Sequence, residues 1–219
     1  MSQSIDQLIA KLLEAMGGVE TAVAIQSIHA IANCTAPHGE YVTEIHSARG
    51  QRLRFRQEWP GREPFVGTVN GLHAWATAVE TGAVQRLAES SVAMIRSHEF
   101  QMIPLTLPER FSQMTVGETG EFAGGLCTAV HAQDELAQPC SLYFDMDSGL
   151  LAGFILTNPV GGEDETVQIV FNRWQTIHNV QLPTNVTATD KNGDFILDFH
   201  AVTLNNVDPT LFTVPPEIA

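Results

Sequence analysis

Val66-Gly67-Thr68-Val69-Asn70-Gly71-Leu72-His73-Ala74-Trp75 is the stretch that decides the fold. Two short alternating runs flank an Asn-Gly pair, the dipeptide best suited to the two positive-φ positions of a type I′ turn. Such a pattern makes a β-hairpin, and therefore an antiparallel sheet. Closing the turn at Val69 and Leu72 sets His73 opposite Thr68 and Trp75 opposite Val66, with His73 and Trp75 on one face. One hairpin upstream, a three-residue Ala48-Arg49-Gly50 loop with Gly50 in the left-handed region sets Glu44 opposite Arg54 and His46 opposite Arg52. A two-residue loop would set Ile45 against Arg54 and lose a charge match that cross-strand pairing rewards.

The same pattern runs outward in both directions. Alternating runs lie near Ile28–Thr35, Glu40–His46, Gln51–Trp59, Pro64–Val69 and Leu72–Val79. They resume near Thr115–Phe122, Leu126–Ala132, Ser141–Asp145, Leu151–Asn158, Glu165–Thr176, Thr184–Thr189 and Phe195–Leu204. Short strands with tight turns imply hairpins and meanders rather than βαβ units. Ahead of them, Ser4 and Gln7 form a capping box, and Ile5, Leu8, Ile9, Leu12, Leu13 and Met16 repeat at helical spacing up to Gly17-Gly18. A second short helix is expected over Val19 to Gln26. Between the two runs of strands, Ala88 to Ser112 reads as helical, with Val92, Ile95, Glu99 and Met102 on one stripe and interruptions forced by Pro104 and Pro108. The expected architecture is α+β: a curved antiparallel β-sheet, an open half-barrel of about 11 strands, whose concave face is covered by N-terminal and central helices. Residues 1–219 form one domain.

Composition excludes partners more readily than it names them. The chain of 219 residues carries 25 acidic against 11 Lys and Arg residues, a formal charge of −14. Such a surface repels phosphate backbones and anionic headgroups, so nucleic acid is not an expected partner. No apolar run is long enough for a membrane span. Cys34, Cys127 and Cys140 are odd in number, without CxxC spacing, and the start of the chain has no signal-like pattern. Both features point to a cytoplasmic location, with a Cys127–Cys140 bridge as the alternative state of two thiols.

The eight histidines offer no HxH, HxxxH or HExxH spacing, so no metal and no cofactor is expected, leaving only a site assembled from separate strands. Asp190-Lys191-Asn192-Gly193-Asp194 resembles a calcium loop but has Ala201 where the bidentate Glu belongs, and reads as a hairpin turn. GxSxG, Walker A and GxGxxG are absent, and Gly117, Gly120 and Gly161-Gly162 precede no helix that could bind phosphate. Arg52, Arg54 and Arg56 alternate onto one face of a strand. They make either a solvated face paired with Glu40 and Glu44 or a clamp for a carboxylate or phenolate. His73 beside Trp75 could stack a flat ligand and move a proton, or form an ordinary hairpin end. His98-Glu99 could be an acid/base pair or a solvated helix face. Trp59 and Trp174 suit a cavity wall or core.

Leu142-Tyr143-Phe144-Asp145, Asp147-Ser148-Gly149-Leu150-Leu151, Asn172-Arg173-Trp174, Val180 to Val186, Val202-Thr203-Leu204-Asn205 and Leu211 to Pro215 together resemble the LolA-like (lipoprotein-localisation-factor) superfamily. The helix end at Leu12–Gly18 followed by Ile25–Thr35 is also similar. The resemblance implies an incomplete barrel with an apolar cavity under its helices, which in the family takes acyl chains or other hydrophobic ligands, mostly in the periplasm. One relative is a cofactor-independent enzyme acting on an aromatic intermediate. Lacking a signal-like start, this chain is expected to bind a cytosolic hydrophobic ligand or substrate, a homodimer being an open alternative to a monomer. In the enzymatic reading it is a lyase, isomerase or cyclase. His73 and His98 would be its acid/base groups and Arg54 its anion stabiliser. Trp75, Arg52, Arg56, Trp59 and Trp174 would contact the substrate. The alternative is a non-catalytic carrier of lipid or acyl groups.

Overall fold

The computed structural model describes residues 3–157 and 165–218; Gly161-Gly162 and Asn158 lie outside them. One sheet of 13 strands runs through the molecule, against a half-barrel expected at about 11 and twelve alternating runs in the sequence. The expected pattern omitted β6, because Val84–Arg86 is three residues long and too short to show alternation. The strands are β1 (Ser27–Ala36), β2 (Gly39–Ala48), β3 (Arg52–Glu58), β4 (Phe65–Asn70), β5 (His73–Thr77), β6, β7 (Ser112–Phe122), β8 (Gly125–Gln133), β9 (Pro139–Asp145), β10 (Leu151–Thr157), β11 (Thr166–Ile177), β12 (Val180–Asp190) and β13 (Gly193–Leu204). Their spatial order is β6-β5-β4-β3-β2-β1-β13-β12-β11-β10-β9-β8-β7, antiparallel at each junction. The first and last strands therefore meet in the middle, and β6 and β7, consecutive in sequence, are the two edges.

Both registered hairpins differ from expectation by one residue at the turn. Asn70 pairs with His73, and Gly71-Leu72 makes the turn, with φ +59° at Gly71 and no left-handed Leu72. A single positive φ at the first central position belongs to a type II′ turn. Asn70 stays in the strand because its Nδ2 donates to the carbonyl of Phe212 at 3.0 Å. Trp75 consequently faces Thr68, and not Val66. The β2–β3 loop has the expected three residues but is Arg49-Gly50-Gln51, so Glu44 faces Arg56, His46 faces Arg54 and Ala48 faces Arg52. Arg49 sets this position: its Nε donates to Ile25 O at 2.9 Å, its Nη2 to Ala22 O at 3.1 Å, and it pairs with Glu109. Moving a turn by one residue moves cross-strand partners by two, which preserves the face each side chain occupies.

Helix α1 (Ile5–Ala15) carries the expected capping box of Ser4 and Gln7 and buries Leu8 and Leu12, and α2 (Val19–Ala24) follows. The segment joining the two sheet edges must cross the concave face, and it fills that face as well as covering it. Helix α3 (Ser91–Arg96), a 3-10 turn at Ile103–Leu105 and α4 (Leu107–Arg110) bury Val92, Ile95, Phe100, Met102, Ile103 and Leu107 against the interior side chains of the sheet. Pro104 and Pro108 stand in the first turns of the 3-10 segment and of α4, the positions where a missing N–H costs least. Glu99, Arg96, Arg110 and Glu135 form a buried four-charge cluster linking this plug to the β8–β9 turn. Glu99 Oε2 lies 3.2 Å from Arg96 Nη2 and 3.0 Å from Arg110 Nη1. Glu135 stands 3.7 and 3.8 Å from the same two guanidiniums. Among the described residues no helix is long and apolar enough to cross a membrane.

Candidate functional site

The face occupied by each strand residue decides which candidates can meet. Leu53 and Phe55 of β3 point into the interior with Ile45, Val69 and Ala74. Arg52, Arg54 and Arg56 alternate with them and therefore lie on the outer face. There a single cross-strand row runs Thr203, His29, His46, Arg54, Thr68, Trp75 and Arg86. Residues 205–218 cross part of that outer surface. Arg52 stands over the ring of Phe212 at 5.7 Å, and Arg86 donates to the Ile218 carbonyl. Trp75, Val66 and Phe212 are buried, outside the interior cluster. Trp75 thus belongs to a small outer core, and His73 is exposed beside the turn.

The interior retains an apolar cleft of about 370 Å³ between the end of α3 and the sheet. Tyr41 and Trp59 wall one side, stacked with ring centroids 4.3 Å apart. Val167, Ile169, Phe195 and Leu197 from β11 and β13 wall the other, while Met94, His98 and Phe100 close the floor. Glu165, Asp190, Lys191 and Asn192 stand at the rim, where Lys191 pairs with Glu165. A second cleft of about 300 Å³ lies between α1 and β7–β9 and is crossed by Lys11, which donates to the Met146 carbonyl.

His98 is fixed at this floor by α3, which ends two residues before it. Its Nδ1 lies 3.1 Å from Met94 O and 3.2 Å from Ile95 O. Carbonyls only accept, so Nδ1 carries the proton and Nε2 the lone pair. The ring stacks flat on Phe55, centroids 4.7 Å apart at an interplanar angle of 1°. Burial lowers its pKa, the two carbonyls opposing and Arg110 adding to the shift, so the imidazole is neutral near pH 7. Glu99 is not its acid/base partner, being committed to Arg96 and Arg110. Burial also pushes the neighbouring Cys34 thiol up to about 12, and burial together with Cys34 pushes Tyr41 up. The cleft interior is therefore uncharged and offers one imidazole acceptor and one phenol.

Of the residues predicted from sequence, His98 and Trp59 converge on this cleft. Trp174 lies at the far end of β11, edge-on to Phe171 at 5.6 Å, beside a separate depression of about 270 Å³. His73, Arg52, Arg54, Arg56 and Trp75 are on the opposite side of the sheet or at its turn. Tyr41 and the β11–β13 wall carry no motif of their own, and they come together through the β1–β13 pairing, which sets Cys34 between Tyr41 and Leu197. The outer face holds a further group, His29, Glu44 and His46, whose ligand atoms lie within 4.8 Å of one another. All three cysteines are free and buried.

No family model matches the sequence, and no curated protein is significantly similar to it. Solved structures are similar in fold. A LolA superfamily protein from Nitrosomonas europaea superposes with a TM-score of 0.65 at 12% identity over 97% of this chain and 99% of that one. A DUF1329 family protein from Desulfovibrio piger gives 0.63 at 10% identity over 97% and 98%. A domain named for outer membrane lipoprotein sorting, from Vibrio parahaemolyticus, gives 0.58 at 9% identity over 94% and 97%. At these identities the likeness is one of fold, and the fold is LolA-like.

Proposed function

From a LolA-like fold with an uncharged cleft in its interior, we propose that this protein is a carrier that shields a small, neutral, hydrophobic ligand. The observation that carries the reading is the lining: aromatic and aliphatic side chains on both walls, with His98 and Tyr41 held neutral and the charged Glu165, Asp190 and Lys191 at the rim. A volume of about 370 Å³ stands at the low end of small-molecule sites. It suits one ring system or one short acyl chain better than a multi-chain lipid. The names of the lipoprotein-sorting and LolA superfamily neighbours agree with a lipid-related role for this chain. The acid/base pairing of His98 with Glu99 lacks support, because Glu99 is committed to Arg96 and Arg110.

The test uses the neutral fluorescent probe N-phenyl-1-naphthylamine with wild type and Phe195→Asp, a half-buried wall position. Wild type should bind one equivalent saturably. The charge set in the cleft wall should weaken binding at least about tenfold in a variant that circular dichroism shows to be folded. Absence of saturable binding, or equal binding by Phe195→Asp, overturns the carrier reading.

A further inference from the structure

On the outer face, away from the cleft, we propose a binding site for a divalent first-row transition-metal ion formed by His29, Glu44 and His46. The three come from one hairpin. Ala36 pairs with Gly39 across a two-residue turn, and this register brings His29 of β1 directly opposite His46 of β2. Glu44 precedes His46 by two residues and so shares its face.

The geometry is that of a ligand set more than of an ion-pair network. Both imidazoles aim Nε2 at the same carboxylate oxygen, Glu44 Oε1, from 2.9 Å for His29 and 3.7 Å for His46. Donors about 2.1 Å from a tetrahedral ion stand about 3.4 Å apart, a separation these two distances bracket. The rings are parallel within 9° with centroids 4.4 Å apart, so their Nε2 lone pairs run side by side, and a rotation of one ring about its Cβ–Cγ bond turns both toward one ion. A second observation is independent of the spacing. The His46 side chain is only 14% exposed, yet its Nε2 is too far from Glu44 for a hydrogen bond and its Nδ1 has no partner among the described residues. Nε2, beyond hydrogen-bonding distance of Glu44, is open to an ion, and the orphaned Nδ1 marks His46 as a side chain that its protein contacts do not account for.

Two imidazoles and one carboxylate suit Zn²⁺ and its neighbours in the first transition row better than Ca²⁺ or Mg²⁺. His29 and Glu44 are 26% and 32% exposed, leaving the outward positions to water. Arg54, cross-strand from His46, opposes the ion's charge and keeps the affinity moderate.

The experiment titrates chelator-treated full-length protein with Co²⁺, read by its visible absorption, and then displaces it with Zn²⁺. One equivalent should bind with a tetrahedral or five-coordinate Co²⁺ spectrum. His46→Gln and Glu44→Gln should each weaken binding at least about tenfold. Circular dichroism of both variants distinguishes a lost ligand from a lost fold, and the near-isosteric Glu44→Gln serves if His46→Gln unfolds. No stoichiometric Co²⁺ binding by wild type, or unchanged affinity in folded variants, overturns the site.

Discussion

His98 donates from Nδ1 to two carbonyls of α3 and lies flat on Phe55, so its environment fixes both tautomer and charge. Its folded pKa is lowered, so the unfolded chain takes up a proton first as pH falls through about 6.5. Stability from this residue is present above that pH and is lost below it. His98→Phe keeps the aromatic stack and removes the titration. Its urea midpoint should therefore fall less than that of wild type between pH 7 and pH 5, and parallel falls would show that another group governs the acid side. At this scale the sequence was partly legible. Trp59 and His98 were recognised as chemistry-bearing residues, but alternation gives a strand residue its face without saying which face is inside. Arg54 and Trp75, which lie on the outer face, are therefore not separated by pattern alone from residues that face the cleft. Arg49 passed as a turn residue because its role is to satisfy carbonyls of α2, a contact between elements distant in sequence.

The crossing segment depends on its charge cluster for position as well as on its apolar side chains. Glu99 is 2% exposed and shared by Arg96 and Arg110, and the attraction of Glu99 and Glu135 outweighs the desolvation that would lower the Arg96 pKa. Removing one member of such a group leaves buried charge uncompensated. Glu99→Ala should cost about 3–5 kcal/mol in denaturant unfolding; a loss below about 1 kcal/mol would mean that water reaches the two arginines. Of the helical stripe expected through Val92, Ile95, Glu99 and Met102, only Val92 and Ile95 lie in a helix, because α3 stops at Arg96; Glu99 and Met102 are buried in the turns that follow, and the partner Glu135 belongs to another hairpin. The hairpins were readable to within one turn residue. The remaining slip came from tertiary contacts, Asn70 to the Phe212 carbonyl and Arg49 to α2, that outweigh local turn preference.

For the whole molecule, 25 acidic against 11 basic residues make self-repulsion a global term. Raising ionic strength from about 0.01 M to about 0.15 M shortens the screening length from about 30 Å to about 8 Å. The melting temperature should rise by about 2–4 °C, the shift that about 1 kcal/mol brings in a chain of this size. A flat response would show that the excess carboxylates are already locally compensated. The architecture as a class was legible because twelve strands announce themselves by alternation, whereas their order was not, since alternation carries no information on which strands are neighbours.

That order has a consequence for biogenesis. β1 is made early, but its partner on one side, β13, is synthesised after every other strand, and Ile28 meets Leu204 only then. Throughout translation the nascent amino-terminal half-sheet presents an unpaired inner strand, whose donors and acceptors would template association with other chains. Pairing so remote in sequence is also slow to form. The β1–β13 seam is thus the place where a partly folded form of this sheet would expose strand edge to association.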